Sequence, residues 1–147
     1  MTCPHCDTAV VTFHVPEDLR SHAPEEATTA SICPGCLVVG AVEGDGVADP
    51  DEDAAAAGDA APEFDRVHGS FPDGEGGVAF ALLIGTLPSI ALHRESASAL
   101  RERAEREGVD TALAFDRLVE AVHEADIVPE FDLERRVRQL DSLLERR

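Results

Sequence analysis

The chain has 147 residues, enough for one ordinary domain or two small ones. It carries 30 acidic residues against 12 basic ones, a formal net charge of −18, and every basic residue is Arg. The acids are spread along the whole chain, which argues against one acidic tail on an otherwise ordinary protein. It fits a protein adapted to a salt-rich cytoplasm, as in halophilic archaea, where a Debye length of ~3 Å screens the self-repulsion. On that reading the acidity says little about the partner.

Residues 1–42 read as a β-rich unit. It opens on Cys3-Pro4-His5-Cys6, and the N-terminus lacks the basic and apolar regions of a signal peptide. Val11, Phe13 and Val15 alternate with Thr12 and His14, the period of a half-buried strand. Pro16 is placed to open a short helical turn through Arg20. Residues 28–32 and 37–42 are two more short strand candidates, rich in β-branched side chains. Between them lies the second pair, Cys33-Pro34-Gly35-Cys36.

Two residues between cysteines let one tight turn aim both sulfurs at one point, and Pro after the first Cys pre-sets the turn. Two such knuckles supply four thiolates, the closed tetrahedral shell of a structural zinc ion. Cys3, Cys6, Cys33 and Cys36 are therefore the expected ligands of one Zn²⁺. Disulfides do not suit a reducing cytoplasm, and a redox pair of the thioredoxin type needs a βαβ context that is absent. Iron is the competing metal, because rubredoxins resemble this pattern through two C-P-x-C knuckles. Their knuckles are usually followed by Gly, whereas Asp7 and Leu37 follow here, and Phe13 is the sole aromatic of this unit. His5, inside the first knuckle, could replace a sulfur but reads as a turn residue. His14, His22, His68, His93 and His123 are scattered, with no nucleophile or partner constellation around them.

Residues 43–70 read as a flexible acidic linker. Glu43-Gly44-Asp45-Gly46 and residues 49–53 are turn formers and like charges, and residues 54–61 are mostly Ala with no apolar face. Phe64 and Val67 mark where the chain docks onto the next unit.

Residues 71–147 read as a small helical bundle. Phe71-Pro72-Asp73-Gly74-Glu75 looks like a helix start with Asp73 as cap, opening a helix that is apolar nearly all round and so central. The uncharged run from Gly76 to Leu92 is interrupted by Gly85 and Pro88, and falls short of the ~20 apolar residues that a spanning helix needs. A cytoplasmic protein with no membrane contact is expected. Leu87-Pro88-Ser89 breaks the first helix. A second runs from about His93 to Glu107, with Gly108 past its end. Asp110 caps a third, with Leu113, Phe115, Leu118, Val119 and Val122 apolar. Asp132 caps a fourth, where Leu133, Val137, Leu140 and Leu144 form a stripe at helical spacing. Gly74-Glu75-Gly76-Gly77 precedes a helix, but no strand or Lys supports a nucleotide loop.

From Asp132 to Arg147 five Arg outnumber four acids. Arg135, Arg136 and Arg138 are the candidate contacts for nucleic acid or an acidic partner. The alternative is pairing with neighbouring acidic helices.

The chain looks like a family of small haloarchaeal proteins of uncharacterised function. The likeness rests on C-P-x-C at residues 3–6, V-P-E-D-L-R at 15–20, C-x-x-C at 33–36 and F-P-x-G-E-x-G-V at 71–78. It implies a haloarchaeal zinc-ribbon protein and supplies no activity. The expected architecture is α+β: a ribbon over 1–42, a linker over 43–70 and helices over 71–147. The expected function is that of a non-enzymatic adaptor for a protein partner. A nucleic-acid-associated ribbon and a rubredoxin-like electron carrier are the alternatives. Loss of the metal is expected to unfold residues 1–42 and spare the helices.

Overall fold

In a computed structural model, described for residues 3, 6–42 and 63–145, the alternating N-terminal pattern becomes a strand. β1 (Val11–His14) buries Val11 and Phe13 and exposes Thr12 and His14. It pairs antiparallel with β2 (Thr29–Ile32), which pairs antiparallel with β3 (Val39–Ala41), giving a three-stranded meander. Pro16 precedes a 3₁₀ turn, Glu17–His22, that buries Leu19 and links β1 to β2.

Four α-helices follow, so the α+β architecture holds: α1 (Gly74–Thr86), α2 (Arg94–Arg106), α3 (Thr111–His123) and α4 (Leu133–Glu145). Asp110 caps α3 by accepting from the Leu113 N–H at 3.0 Å, and Asp132 accepts from the Arg135 N–H at 3.1 Å. Gly108, just past α2, sits at φ 94°, where a side chain would be strained. Asp73 stands at the N-cap of α1, but its side chain makes no capping hydrogen bond. The backbone carbonyl of Asp73 does accept from Gly77 N–H at 3.0 Å.

α1 is the central helix: every residue from Gly76 to Ile84 is buried. Three of its glycines, Gly76, Gly77 and Gly85, approach neighbours closely, and two of these contacts shape the fold. A Cβ on Gly77 would lie 2.3 Å from the Pro72 carbonyl oxygen, and one on Gly85 would lie 3.0 Å from the Val39 side chain on β3. The first explains the Gly-rich helix start as packing. The second lets the sheet lie against the helix.

The hydrophobic core runs continuously from the sheet into the helices. Val11, Phe13, Val15, Ile32 and Leu37 belong to the same buried cluster as Phe80, Leu83, Leu100, Leu118 and Leu140. A line of aromatic rings crosses the junction. Phe13 lies 5.5 Å from Phe64, Phe64 lies 5.0 Å from Phe71, Phe71 lies 5.3 Å from Phe80, and Phe80 lies 4.7 Å from Phe115. Each contact falls in the 4.5–7 Å range of favourable ring pairs. Phe64, which opens a 3₁₀ turn (Phe64–Arg66), and Val67, just past it, are both buried. Polar ties span the same junction. Arg103 on α2 pairs with Asp18 of the first 3₁₀ turn, with Glu75 at the start of α1 and with Glu107 at 3.1 Å. His22, expected in a surface loop, is half-buried instead, with Nδ1 2.9 Å from Ser96 Oγ on α2. The sheet and the helices thus share one core, so the effect of metal loss on the helices becomes a measurable question. Residues 43–62 of the expected linker, His5, Arg146 and Arg147 lie outside the described residues. No described helix is long and apolar enough to cross a membrane.

Candidate metal centre

The four cysteines come together because the sheet brings the two knuckles side by side. The first leads into β1; the second connects β2 to β3. Register between β1 and β2, with Val11 opposite Ile32, brings Cys3 and Cys6 beside Cys33 and Cys36.

The two knuckles close with the same backbone bonds. Cys3 N–H donates to Thr8 O at 2.8 Å, and Cys33 N–H donates to Val38 O at 3.0 Å. Asp7 N–H donates to Cys3 O at 2.9 Å, and Leu37 N–H donates to Cys33 O at 2.9 Å. Asp7 and Leu37, the residues after each pair, both sit at φ 60°. This is the left-handed region that favours glycine, so the knuckle closes here without the residue that makes it cheapest. It also corrects the strand expected from residue 37. Leu37 cannot be extended while it closes the knuckle, and β3 begins at Val39.

All four Sγ atoms lie within 4.8 Å of one another. Cys6 and Cys33 sulfurs are 3.3 Å apart, and those of Cys3 and Cys36 are 3.6 Å apart. A disulfide is ~2.05 Å long, and none of the four cysteines is in one. Four sulfurs each ~2.3 Å from one zinc ion stand ~3.8 Å apart, so the donor set fits a single tetrahedral metal. Gly35 N–H and Cys36 N–H both point at Cys33 Sγ, at 3.3 and 3.4 Å. Donors of this kind stabilise a thiolate ligand and orient it.

The sulfurs differ in setting. Cys3, Cys33 and Cys36 are buried, with Val10 and Val38 packed against them, while Cys6 is exposed. The hydrogen bond with the Thr8 side chain, and after it the one with Cys33, pulls the Cys6 thiol down to about 7. Burial pushes the Cys33 and Cys36 thiols up. A metal that took all four as thiolates would displace protons that the buried pair otherwise holds.

The second knuckle is also held from the helical side. Val128 N–H donates to Gly35 O at 2.8 Å and Glu130 N–H donates to Cys36 O at 3.1 Å, both from the loop between α3 and α4. The first knuckle has a looser tie, Arg66 Nη2 to Ala9 O at 3.1 Å. These backbone contacts carry no side-chain pattern, and the sequence reading missed them.

Arg135 and Arg138 on α4 are exposed; Arg136 is half-buried and donates to Gln139 Oε1 at 3.0 Å. None of the three pairs with a described carboxylate, whereas Arg101, Arg103 and Arg117 each do. His14, His93 and His123 are exposed, and the His123 ring lies 3.2 Å from Glu134. His68 accepts from Ser70 N–H at 3.0 Å. Away from the cysteines, a groove of ≈ 410 Å³ lies where α1 and α3 begin, lined in part by Asp73, Glu107, Val109, Asp110 and Arg117. Asp110 there is already committed to capping α3.

A model of a family of unknown function, DUF6276, matches residues 2–144. The chain belongs to this family. No curated protein and no solved structure matches it.

Proposed function

We propose that this DUF6276 member is a non-enzymatic zinc-ribbon adaptor of a halophilic archaeal cytoplasm. One Zn²⁺ on Cys3, Cys6, Cys33 and Cys36 fixes the ribbon of residues 1–42 to the helical body of residues 71–147. The linker of residues 43–70 joins them, and the assembled surface engages a protein partner. The observation that carries this reading is the closed set of four sulfurs within 4.8 Å, three of them buried. A set of that kind holds a metal for structure, since catalytic zinc keeps one position for water or substrate.

The bonds from Val128 and Glu130 to the second knuckle support the role of the metal in fixing sheet to helices. The charge of −18 supports a salt-rich compartment. The test has two parts, both in molar salt. Protein purified without oxygen should be colourless and hold one zinc per chain; bound iron with visible absorption would make it a rubredoxin-like carrier instead. Tagged protein recovered from its native host should bring one protein down in stoichiometric amount. Recovery alone would contradict the adaptor role.

A second reading, nucleic-acid association, draws on the exposed Arg135 and Arg138, which pair with no described carboxylate. Phosphate contacts weaken as salt rises through counterion release. Binding to DNA or RNA that is unchanged in Arg135→Ala/Arg138→Ala excludes this helix as the contact.

A further inference from the structure

Three of the four sulfurs are sealed by protein, and one is not. Cys6 is exposed; Cys3, Cys33 and Cys36 have 1%, 0% and 2% of their surface open. Oxidants and electrophiles reach exposed thiolates first, and the product depends on which second sulfur is near. For Cys6 that neighbour is Cys33, at 3.3 Å across the two knuckles. Little movement is needed to close the gap to bonding distance, since both sulfurs already face one point.

We propose that the cluster is a peroxide-responsive modification site, with Cys6 as the attacking sulfur and Cys33 as the resolving one. The inference rests on the zinc reading above and concerns how that same site is undone. The Cys6 thiolate attacks one oxygen of hydrogen peroxide, the O–O bond breaks and hydroxide leaves, giving a sulfenic acid on Cys6. The Cys33 thiolate then attacks the Cys6 sulfur, the S–O bond breaks and a second hydroxide leaves. Two thiolates have lost two electrons and peroxide has gained them. Cys3 and Cys36 remain, two ligands where a structural zinc needs four.

The loss is transmitted through the second knuckle. Cys33 shares its turn with the carbonyls of Gly35 and Cys36, which accept from Val128 and Glu130. When Cys33 is drawn to Cys6 and the metal is gone, that turn is no longer fixed, and the loop before α4 loses its anchor.

The chain is suited to reading this chemistry. It has no Lys, and no Arg lies between Arg20 and Arg66. Trypsin therefore separates residues 1–20, with Cys3 and Cys6, from residues 21–66, with Cys33 and Cys36. A disulfide between knuckles joins the two peptides; one within a knuckle does not. The full chain in molar salt is assayed for zinc and then titrated with hydrogen peroxide. Zinc release is followed by a chromogenic chelator, and the non-reduced digest by mass spectrometry, with fragmentation to assign the sulfurs. The expected result is one zinc ion released per cross-linked peptide pair, joined through Cys6 and Cys33, and reversal by dithiothreitol with zinc present. A chain with zinc whose first disulfide lies within a knuckle, or omits Cys6, overturns the proposal. So does zinc that stays bound at peroxide levels that oxidise other thiols. A chain that holds no zinc before peroxide is added overturns the zinc reading and this inference with it.

Discussion

The two knuckles have the same backbone bonds, the same Cys-Pro start and the same φ of 60° after the second cysteine. Around them the settings differ, although Cys3 is as buried as Cys33 and Cys36. In the first, Cys6 and Asp7 are exposed, and one exposed arginine, Arg66, ties the following loop. In the second, Cys33, Cys36 and Leu37 are buried, and two backbone amides from the α3–α4 loop hold the turn. The local chemistry of a metal knuckle is thus set by its own few residues, while its anchorage is set by what packs on it. The second knuckle is an extension of the core, and the first meets it through the sulfurs and the Arg66 tie.

The largest effect should come from removing what the two share. Structural zinc supplies roughly 10–16 kcal/mol of apparent binding free energy, against a typical folding stability of ~5–15 kcal/mol. Chelation, or Cys36→Ser, should abolish the knuckles and also lower the melting temperature of the helices, followed by circular dichroism in molar salt. Helices that melt unchanged would show that the shared core does not transmit the loss. Acid should act as a chelator does, because protons compete for all four thiolates. Metal binding holds the thiolates ionised well below the ordinary thiol range, so zinc should leave only in stronger acid; zinc retained in strong acid would count against four-thiolate binding.

Glycine substitution after each knuckle should separate the two settings by sign. Leu37→Gly relieves about 1–2 kcal/mol of left-handed strain but forfeits about 2–5 kcal/mol of packing in the core, so it should destabilise. Asp7→Gly has no burial to lose and should stabilise by up to about 1 kcal/mol. Denaturant midpoints of both variants, zinc-loaded, check this. Two shifts of the same sign would erase the distinction drawn between the knuckles.

Smaller effects should follow from cutting the outer ties. Val128→Pro removes the amide that donates to Gly35 O and leaves a carbonyl short of a partner, at about 1–3 kcal/mol. Val128→Ala keeps the amide and removes an exposed side chain, 68% open, so it should be nearly neutral. If the two variants unfold at the same denaturant concentration, the backbone strap contributes nothing. Arg66→Ala should cost less still, under about 1 kcal/mol. Hydrogen exchange should quicken around residues 7–10 and leave residues 33–38 unchanged.

Much of this molecule was legible in its residues. Four cysteines in two pairs specify a cluster of sulfurs able to hold a metal, Asp110 and Asp132 announce helix starts, and Gly108 announces an end, because each is a local demand met by one residue type. The alternation of Val11, Phe13 and Val15 placed β1 and its buried face. What escaped reading was contact between distant segments. Val128 and Glu130 reach the second knuckle through main-chain amides, which any residue but proline possesses. Leu37 reads as a strand residue by propensity, and only closure of the turn forces it to a left-handed conformation. Asp73 has the right residue type for a cap and still makes no side-chain bond. Gly85 interrupts an apolar run as a helix weakness would, yet its missing Cβ is what admits Val39. The phenylalanines are scattered along the sequence; their alignment from Phe13 to Phe115 exists only once the sheet is laid on α1.

The central claim is that both knuckles bind one metal through four sulfurs. X-ray absorption at the zinc edge, on protein purified in molar salt without oxygen, tests it most directly. The account predicts one zinc per chain, with a single shell of four sulfur neighbours at ~2.3 Å and no light-atom ligand. A shell containing nitrogen or oxygen, a count below four sulfurs, or iron in place of zinc would contradict it.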